Sequence, residues 1–289
     1  MPLCGIIPPH PDDSGLDPVE AAPMALETRN DARAILITGA ASGIGRETAR
    51  LFVSRGWRAG LIDVNEEGLA ALAAELSAER CFTRKLDVRD GADYQKAVAE
   101  FGAWSGGRMD ALFNCAGIMR MGPFDQTSLE DHRRTVEINV LGVVNGIYAS
   151  LDLLKKTPGA HIVSMGSASG IYGVPDLATY SASKFFVRGF TEALNIELAK
   201  DDITVTDLMP LYVDTPMVRT QVYRAGSLET FGAKLTPQQI AGVVWNAVHA
   251  KKVHWVPGAL LKTLNYIGGA LPFVSKPTMK LVDSRRKAS

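Results

Sequence analysis

Short apolar runs alternate with longer stretches of helical period from Ala34 onward. The runs are Ala34–Thr38, Ala59–Asp63, Cys81–Val88, Asp110–Asn114, His161–Met165, Ile203–Met209 and Val253–Val256. Each suits a strand and is too short for a stable helix. The spacers carry helical signals. Ser128-Leu-Glu-Asp131 opens the segment Ser128–Lys156 in the manner of a capping box. In Ser181–Lys200, the residues Val187, Phe190, Leu194 and Leu198 fall 3, 4 and 4 apart and make one apolar stripe. Strands alternating with helices predict a parallel sheet covered on both faces. No low-complexity linker interrupts residues 31–258, so we expect one doubly wound α/β domain of about seven strands.

The ends of the chain read differently. Six prolines fall in the first 23 residues, among Asp12, Asp13, Asp17 and Glu20, so residues 1–30 are expected to form a disordered or surface arm. Residues 259–289 are apolar at first, contain Pro272 and Pro277, and end with Arg285-Arg-Lys287. We expect this extension to cover the substrate side or an interface.

Composition narrows the class. Lys+Arg and Asp+Glu balance at 31 each in 289 residues, which argues against a nucleic-acid partner. Cys4, Cys81 and Cys115 are few and widely spaced, and no set of metal-ligand spacing appears. A reducing cytoplasm and no bound metal are therefore expected. The start lacks a basic segment followed by an apolar core, and no run of about 20 apolar residues stands out, so neither a signal peptide nor an integral membrane segment is expected. The histidines His10, His132, His161, His249 and His254 are scattered and are assigned structural or surface roles.

Candidate chemistry begins at the first strand–turn–helix, Thr38-Gly-Ala-Ala-Ser-Gly-Ile-Gly45. A dinucleotide pyrophosphate needs a tight turn, a backbone it can approach and a helix N-terminus with free N–H groups. Gly39 supplies the turn, Gly43 allows the close approach and Gly45 lets the helix pack against the strand, with Ser42 and Ile44 between them. The second apolar run ends at Asp63, 24 residues after Gly39. An acid there accepts bonds from the adenosine ribose of NAD and repels the 2′-phosphate of NADP. We therefore expect NAD rather than NADP, with helix capping by Asp63 as an alternative or additional role.

The second centre is Ser164–Lys184. Tyr180 and Lys184 are four residues apart and share a helix face. A cation beside the phenol lowers its pKa and suits it to acid–base work. Ser167, just past the apolar run 161–165, can hold the same substrate oxygen.

Together these motifs resemble the short-chain dehydrogenase/reductase family, of the TGxxxGxG and YxxxK subtype, over about residues 31–258. Leu86-Asp87-Val88 is similar to the family's adenine-side segment, with Asp87 the contact. Asn114-Cys-Ala116-Gly117 is similar to its NNAG motif, with Cys115 in place of the second asparagine. Asn139 matches the helix asparagine of a tetrad completed by Ser167, Tyr180 and Lys184. Pro210, Val213 and Thr215 match the nicotinamide-side loop, although Leu211 stands where glycine is usual.

The resemblance implies a Rossmann-type sheet and reversible hydride transfer between NAD(H) and a secondary alcohol or ketone. Ser167 would bond the substrate oxygen, and Tyr180 would be the general acid/base. Lys184 would lower the phenol's pKa and hold the nicotinamide ribose, and Asn139 would order a proton-relaying water. It also implies a homodimer or homotetramer through the helices around 128–156 and 178–199. The substrate-side loops carry Ile118, Met119, Met121, Phe124, Ile171, Tyr172, Val174, Leu177, Leu211, Tyr212, Met217 and Val218, which favours a bulky apolar small molecule. Residues 212–235 are expected to form a mobile lid. An NADP-dependent ketone reductase of the same fold, or a nucleotide-binding redox sensor without turnover, are the alternatives.

Overall fold

The computed structural model describes residues 32–258. The expected N-terminal arm and C-terminal extension lie outside the described residues. The elements follow the alternation read from the sequence: β1 (Ala34–Thr38), α1 (Gly43–Ser54), β2 (Arg58–Asp63), α2 (Glu66–Leu76), β3 (Cys81–Lys85), α3 (Gly91–Ser105), β4 (Ala111–Asn114), α4 (Leu129–Val136), α5 (Gly142–Lys155), β5 (His161–Met165), α6 (Ala178–Glu197), β6 (Thr204–Leu208), α7 (Pro216–Arg219), α8 (Gly226–Phe231), α9 (Pro237–Ala247) and β7 (His254–Trp255).

The seven strands form one sheet in the order β3-β2-β1-β4-β5-β6-β7, and every recorded pairing is parallel. Strand side chains alternate between two apolar layers. Ile35 and Ile37 of β1 pack toward α1 and α9, with Phe52, Ile240 and Val244. Ala34 and Leu36 pack the other way, with Phe101, Val143, Ile147 and Val187. Burial on both faces is why the strands read as continuous apolar runs. Chain order reverses between β1 and β4, the switch point at which open sheets of this kind bind ligands.

Two sequence boundaries are corrected. The run Cys81–Val88 is a strand only to Lys85. Beyond it, Leu86 N–H still reaches Asp63 O, but Asp87 Oδ1 accepts from Arg89 N–H and Asp90 N–H donates to Asp87 O, turning the chain into α3. The segment Ser128–Lys156 is helical throughout but not one α-helix. A π-turn at Glu137–Leu141 joins α4 to α5. Ser128 does cap α4, accepting from Asp131 N–H at 3.0 Å, while its hydroxyl donates to the Asp131 carboxylate. The run Leu129–Lys155 is long and apolar enough to cross a membrane by length and composition. Here its parts pack against α3, α6 and the sheet.

The short edge strand β7 is held by charge. His254 Nδ1 lies 2.7 Å from Asp207, which is fully buried on β6, and Nε2 lies 3.1 Å from Glu192 on α6. Arg188 also contacts Glu192, at 3.2 Å. Burial alone would lower the imidazole pKa, and Arg188 opposes its charge as well. The hydrogen bond and charge of Asp207, with that of Glu192, outweigh them, and the net shift is upward. A raised pKa in the folded state means that the stabilisation is complete below the unfolded imidazole value and is lost as pH rises through the folded one. We therefore expect the parent's melting temperature to fall on going from pH 6 to pH 9 by more than that of His254→Asn. Equal pH dependence in the two proteins would count against this.

Candidate active site

Where β1 ends, the chain must turn sharply to enter α1. Gly39 makes that turn with φ +69°, and a Cβ there would lie 3.0 Å from the backbone of Ala116. Gly43 also has positive φ, +52°, and faces the Thr215 side chain. Ser42 is the N-cap of α1 but makes no side-chain cap bond, and the first turn carries no acidic residue. The leading N–H groups of α1 are thus left for an anionic ligand, and the glycines keep the space before them clear. These residues fit a dinucleotide pyrophosphate.

Asp63 stands at the rim of this cradle. Its carboxylate accepts from Ala41 N–H at 3.1 Å and from Asn65 N–H at 3.0 Å. It does not cap α2. Asn65 does, accepting from Gly68 N–H at 3.0 Å. Asp87 lies further along the same cavity, gripped by the Arg89 guanidinium at 2.6 to 3.0 Å. That bond holds its carboxyl below the usual carboxylate range. Arg89 and Arg134, which also line this end, were missed in the sequence, since nothing in their spacing ties them to a cofactor.

The cavity, of about 350 Å³, continues from this cradle past β5 to the apolar loops. Gly39, Ser42, Gly43, Ile44, Asp63, Asp87, Val88, Ala116, Gly117, Ser167, Tyr180, Lys184, Pro210, Val213 and Thr215 all line it. Three expected site residues stand behind the wall instead. Gly45 packs on Gly39, Asn114 joins β4 to Ser164 of β5 at 3.4 Å, and Asn139 lies beneath Ile118.

Asn139 is 1% exposed and sits in the π-turn. π-turns shift the helical register and are frequent at functional sites. Its Oδ1 accepts from Ile118 N–H at 2.8 Å, and its Nδ2 donates to Ile118 O at 2.9 Å and to Ser183 Oγ at 3.2 Å. Ser183 in turn donates to Tyr180 O at 2.6 Å. The amide therefore braces the loop after β4 against the helix that carries Tyr180. Ser183 was not foreseen.

Ser167 caps a short turn after β5. Its Oγ accepts from Ser169 N–H at 3.2 Å and from the Ser169 hydroxyl at 2.9 Å. The nearby Ser167 hydroxyl favours the Tyr180 phenolate. Burial nevertheless dominates, and with the Tyr212 phenol it pushes Tyr180 up to about 12. The Lys184 ammonium does not offset this. Only 6% exposed, it donates to Met165 O at 2.6 Å and lies 5.5 Å from the Tyr180 ring centroid. Burial brings Lys184 itself down to about 8. The lowered phenol pKa expected from the spacing is therefore not found in this arrangement. The Cys115 thiol, near Lys184 and the Gly45 N–H, is pushed up to about 12 by burial and is a poor nucleophile.

The loop 212–235 folds as α7 and α8 over Met119, Met121, Val174 and Leu177. Its ends meet in a bridge between Val213 and Leu235. Gln221 fastens it to the loop after β4, donating to Met119 O at 2.9 Å and accepting from Met121 N–H at 3.1 Å.

Residues 33–224 match the family described as short chain dehydrogenase. The chain belongs to this family. It is 39% identical over 188 residues to the oxidoreductase UcpA of Salmonella typhimurium, covering 64% of this chain and 71% of that protein. A short chain dehydrogenase/reductase from Burkholderia phymatum, solved with NAD, superposes with a TM-score of 0.75 at 25% identity, over 84% of this chain and 95% of its own. A variant of actinorhodin polyketide ketoreductase, solved with NADPH, gives 0.72 at 31% identity, over 80% and 98%. The short-chain dehydrogenase fold and a nicotinamide dinucleotide are thus common ground for this chain and its neighbours. Among the described residues, no group of three or more His, Cys, Asp or Glu is placed to hold a metal.

Proposed function

We propose that the chain interconverts a secondary alcohol and a ketone, mainly apolar, with NAD(H) as the preferred cofactor. The observation that carries this reading is that the half-buried Tyr180 phenol, Ser167 and the glycine cradle line one cavity. When bound, the dinucleotide supplies or accepts the hydride. Tyr180 gives its proton to the carbonyl oxygen as the carbonyl carbon is reduced, and takes it back on oxidation. Ser167 bonds the same oxygen and stabilises charge that develops on it. Lys184, fixed by Met165 O, holds the nicotinamide-side ribose, and Asn139 positions the wall.

The preference for NAD is supported by the Asp63 carboxylate at the rim, which repels a 2′-phosphate. Arg46 and Arg58 are engaged elsewhere: Arg46 contacts Glu75 at 3.4 Å, and Arg58 bonds Trp104 O. We expect purified protein to bind NADH at least about tenfold tighter than NADPH, and Asp63→Ser to bring the ratio near one. Tighter binding of NADPH by the parent would overturn the assignment.

The chain also presents exposed Leu129, Val136, Leu141 and Tyr148 on the α4–α5 run, and Phe185 and Ile196 on α6. These support the homo-oligomer reading. Sedimentation velocity is expected to show a dimer or tetramer, and a lone monomer peak at micromolar concentration would remove it.

A further inference from the structure

The charged side chains that line the cavity are unevenly placed. Asp63, Asp87, Arg89 and Arg134 belong to the dinucleotide end. At the substrate end, Lys184 is the one charged side chain among the described lining residues, and it is fixed by Met165 O and assigned above to the ribose. The wall there is apolar, with Met119, Val174, Leu177 and Val218.

Hydroxyls interrupt that wall, and two of them form a pair. Tyr212, in the loop after β6, and Ser227, on α8, both line the cavity, and their oxygens are 2.7 Å apart. Ser227 is only 6% exposed. One hydroxyl proton is used between the two oxygens. The other remains, so the pair can donate one further bond and accept at its remaining lone pairs. Burial raises the Tyr212 phenol, with Asp176 adding to the shift, and carries neighbouring Tyr172 to about 12. Both rings therefore present neutral O–H groups at physiological pH.

We propose that the Tyr212–Ser227 hydroxyl pair reads a second, uncharged oxygen function on the substrate. This rests on the ketone and alcohol chemistry proposed above. The substrate class that follows is a mainly apolar molecule with a carbonyl or hydroxyl away from the reacting carbon. Carboxylates, sulfonates and phosphates are excluded, because an anion buried at this end meets no cation besides Lys184, which the cofactor reading assigns to the ribose, among the described lining residues. A monoketone of the same shape fills the apolar wall but leaves the spare hydroxyl proton without an acceptor, so the site discriminates against it.

The test uses full-length protein with NADH and three probes of one carbon skeleton: 1-decalone, the isomeric decalindiones and an oxodecalin carboxylate. Both kcat/KM for reduction and Kd by calorimetry on the NADH complex are measured. At least one dione is expected to exceed 1-decalone by about tenfold, one hydrogen bond's worth, with the carboxylate at least about a hundredfold below 1-decalone. Tyr212→Phe and, independently, Ser227→Ala are expected to bring the ratio of dione to monoketone near one, with melting temperatures confirming that both variants fold. Reduction of 1-decalone with no dione preference, or a preference unchanged in both variants, overturns this inference and leaves the reaction standing. A dione preference in Kd that both variants abolish, without any turnover, upholds the pair and overturns the reaction. Carboxylate binding as tight as that of 1-decalone overturns the substrate class.

Discussion

Tyr180→Phe is expected to lower kcat by about a thousandfold while NADH binds within about threefold of the parent. The substitution removes one oxygen and leaves the ring in place. The ring packs with Met119, Leu177 and Tyr212 in the apolar layer under α7 and α8, so the fold has no reason to change. Lost with the oxygen is the proton that the carbonyl would receive. Ser167, fixed by Ser169, remains to bond the substrate oxygen, so some rate above the uncatalysed reaction survives. The measurement is single-turnover reduction with bound NADH, beside a fluorescence titration of NADH. Activity within tenfold of the parent would remove Tyr180 from the role of general acid.

The electrostatics add a direction to this expectation. A phenol held near 12 is fully protonated at neutral pH. It is ready as a donor for ketone reduction, whereas alcohol oxidation needs the phenolate. Oxidation by the parent is therefore expected to rise with pH while reduction gains nothing from deprotonation of Tyr180. The protein's own cation does not change this balance, because Lys184 is turned to Met165 O and is itself near 8.

That arrangement marks where the sequence stops being informative. Period and spacing report which side chains share a face. They located β1 and β5 to the residue and put Tyr180 and Lys184 one turn apart on α6. They carry no signal for a partner that is a backbone carbonyl, so the capture of Lys184 by Met165 O was invisible. The π-turn at Asn139 escaped for a related reason. One extra residue in a helical turn changes the hydrogen-bond register while the apolar pattern of Ser128–Lys156 still reads as helix. The overshoot of β3 to Val88 came from Leu86 and Val88, which are apolar and buried yet lie in the turn that Asp87 closes. Tyr212 was legible as part of an apolar loop. Its partner Ser227 was not, because it lies 15 positions further on and is brought back only through α7 and α8. The turn before α1, by contrast, was legible, since its geometry is local and Gly39 and Gly43 take the positive φ that favours glycine.

Gly45→Ala tests that last point most severely. A Cβ at Gly45 would sit 2.3 Å from Gly39 O, 2.8 Å from Gly39 C and 3.1 Å from Ala40 Cα. All three are backbone atoms, so no rotamer change relieves the contact. The options are to push α1 away from β1 or to open the Gly39 turn. The Gly39 turn is itself closely packed, since a Cβ added there would lie 3.0 Å from the Ala116 backbone. Overpacking of side chains costs about 1–3 kcal/mol, and a clash confined to backbone belongs at or above the top of that range. The displaced groups are the leading N–H groups of α1, so dinucleotide affinity falls together with stability. We expect NADH binding to weaken by at least about a hundredfold and the melting temperature to drop by several degrees. Gly242→Ala in α9 is the control: a Cβ there meets nothing within 4 Å, and binding should match the parent. If Gly45→Ala binds NADH as the parent does, the close packing of α1 on the Gly39 turn is not what shapes the dinucleotide site. If it melts early yet binds normally, packing at Gly45 serves the fold alone and the anion cradle must be built from Gly39 and Gly43.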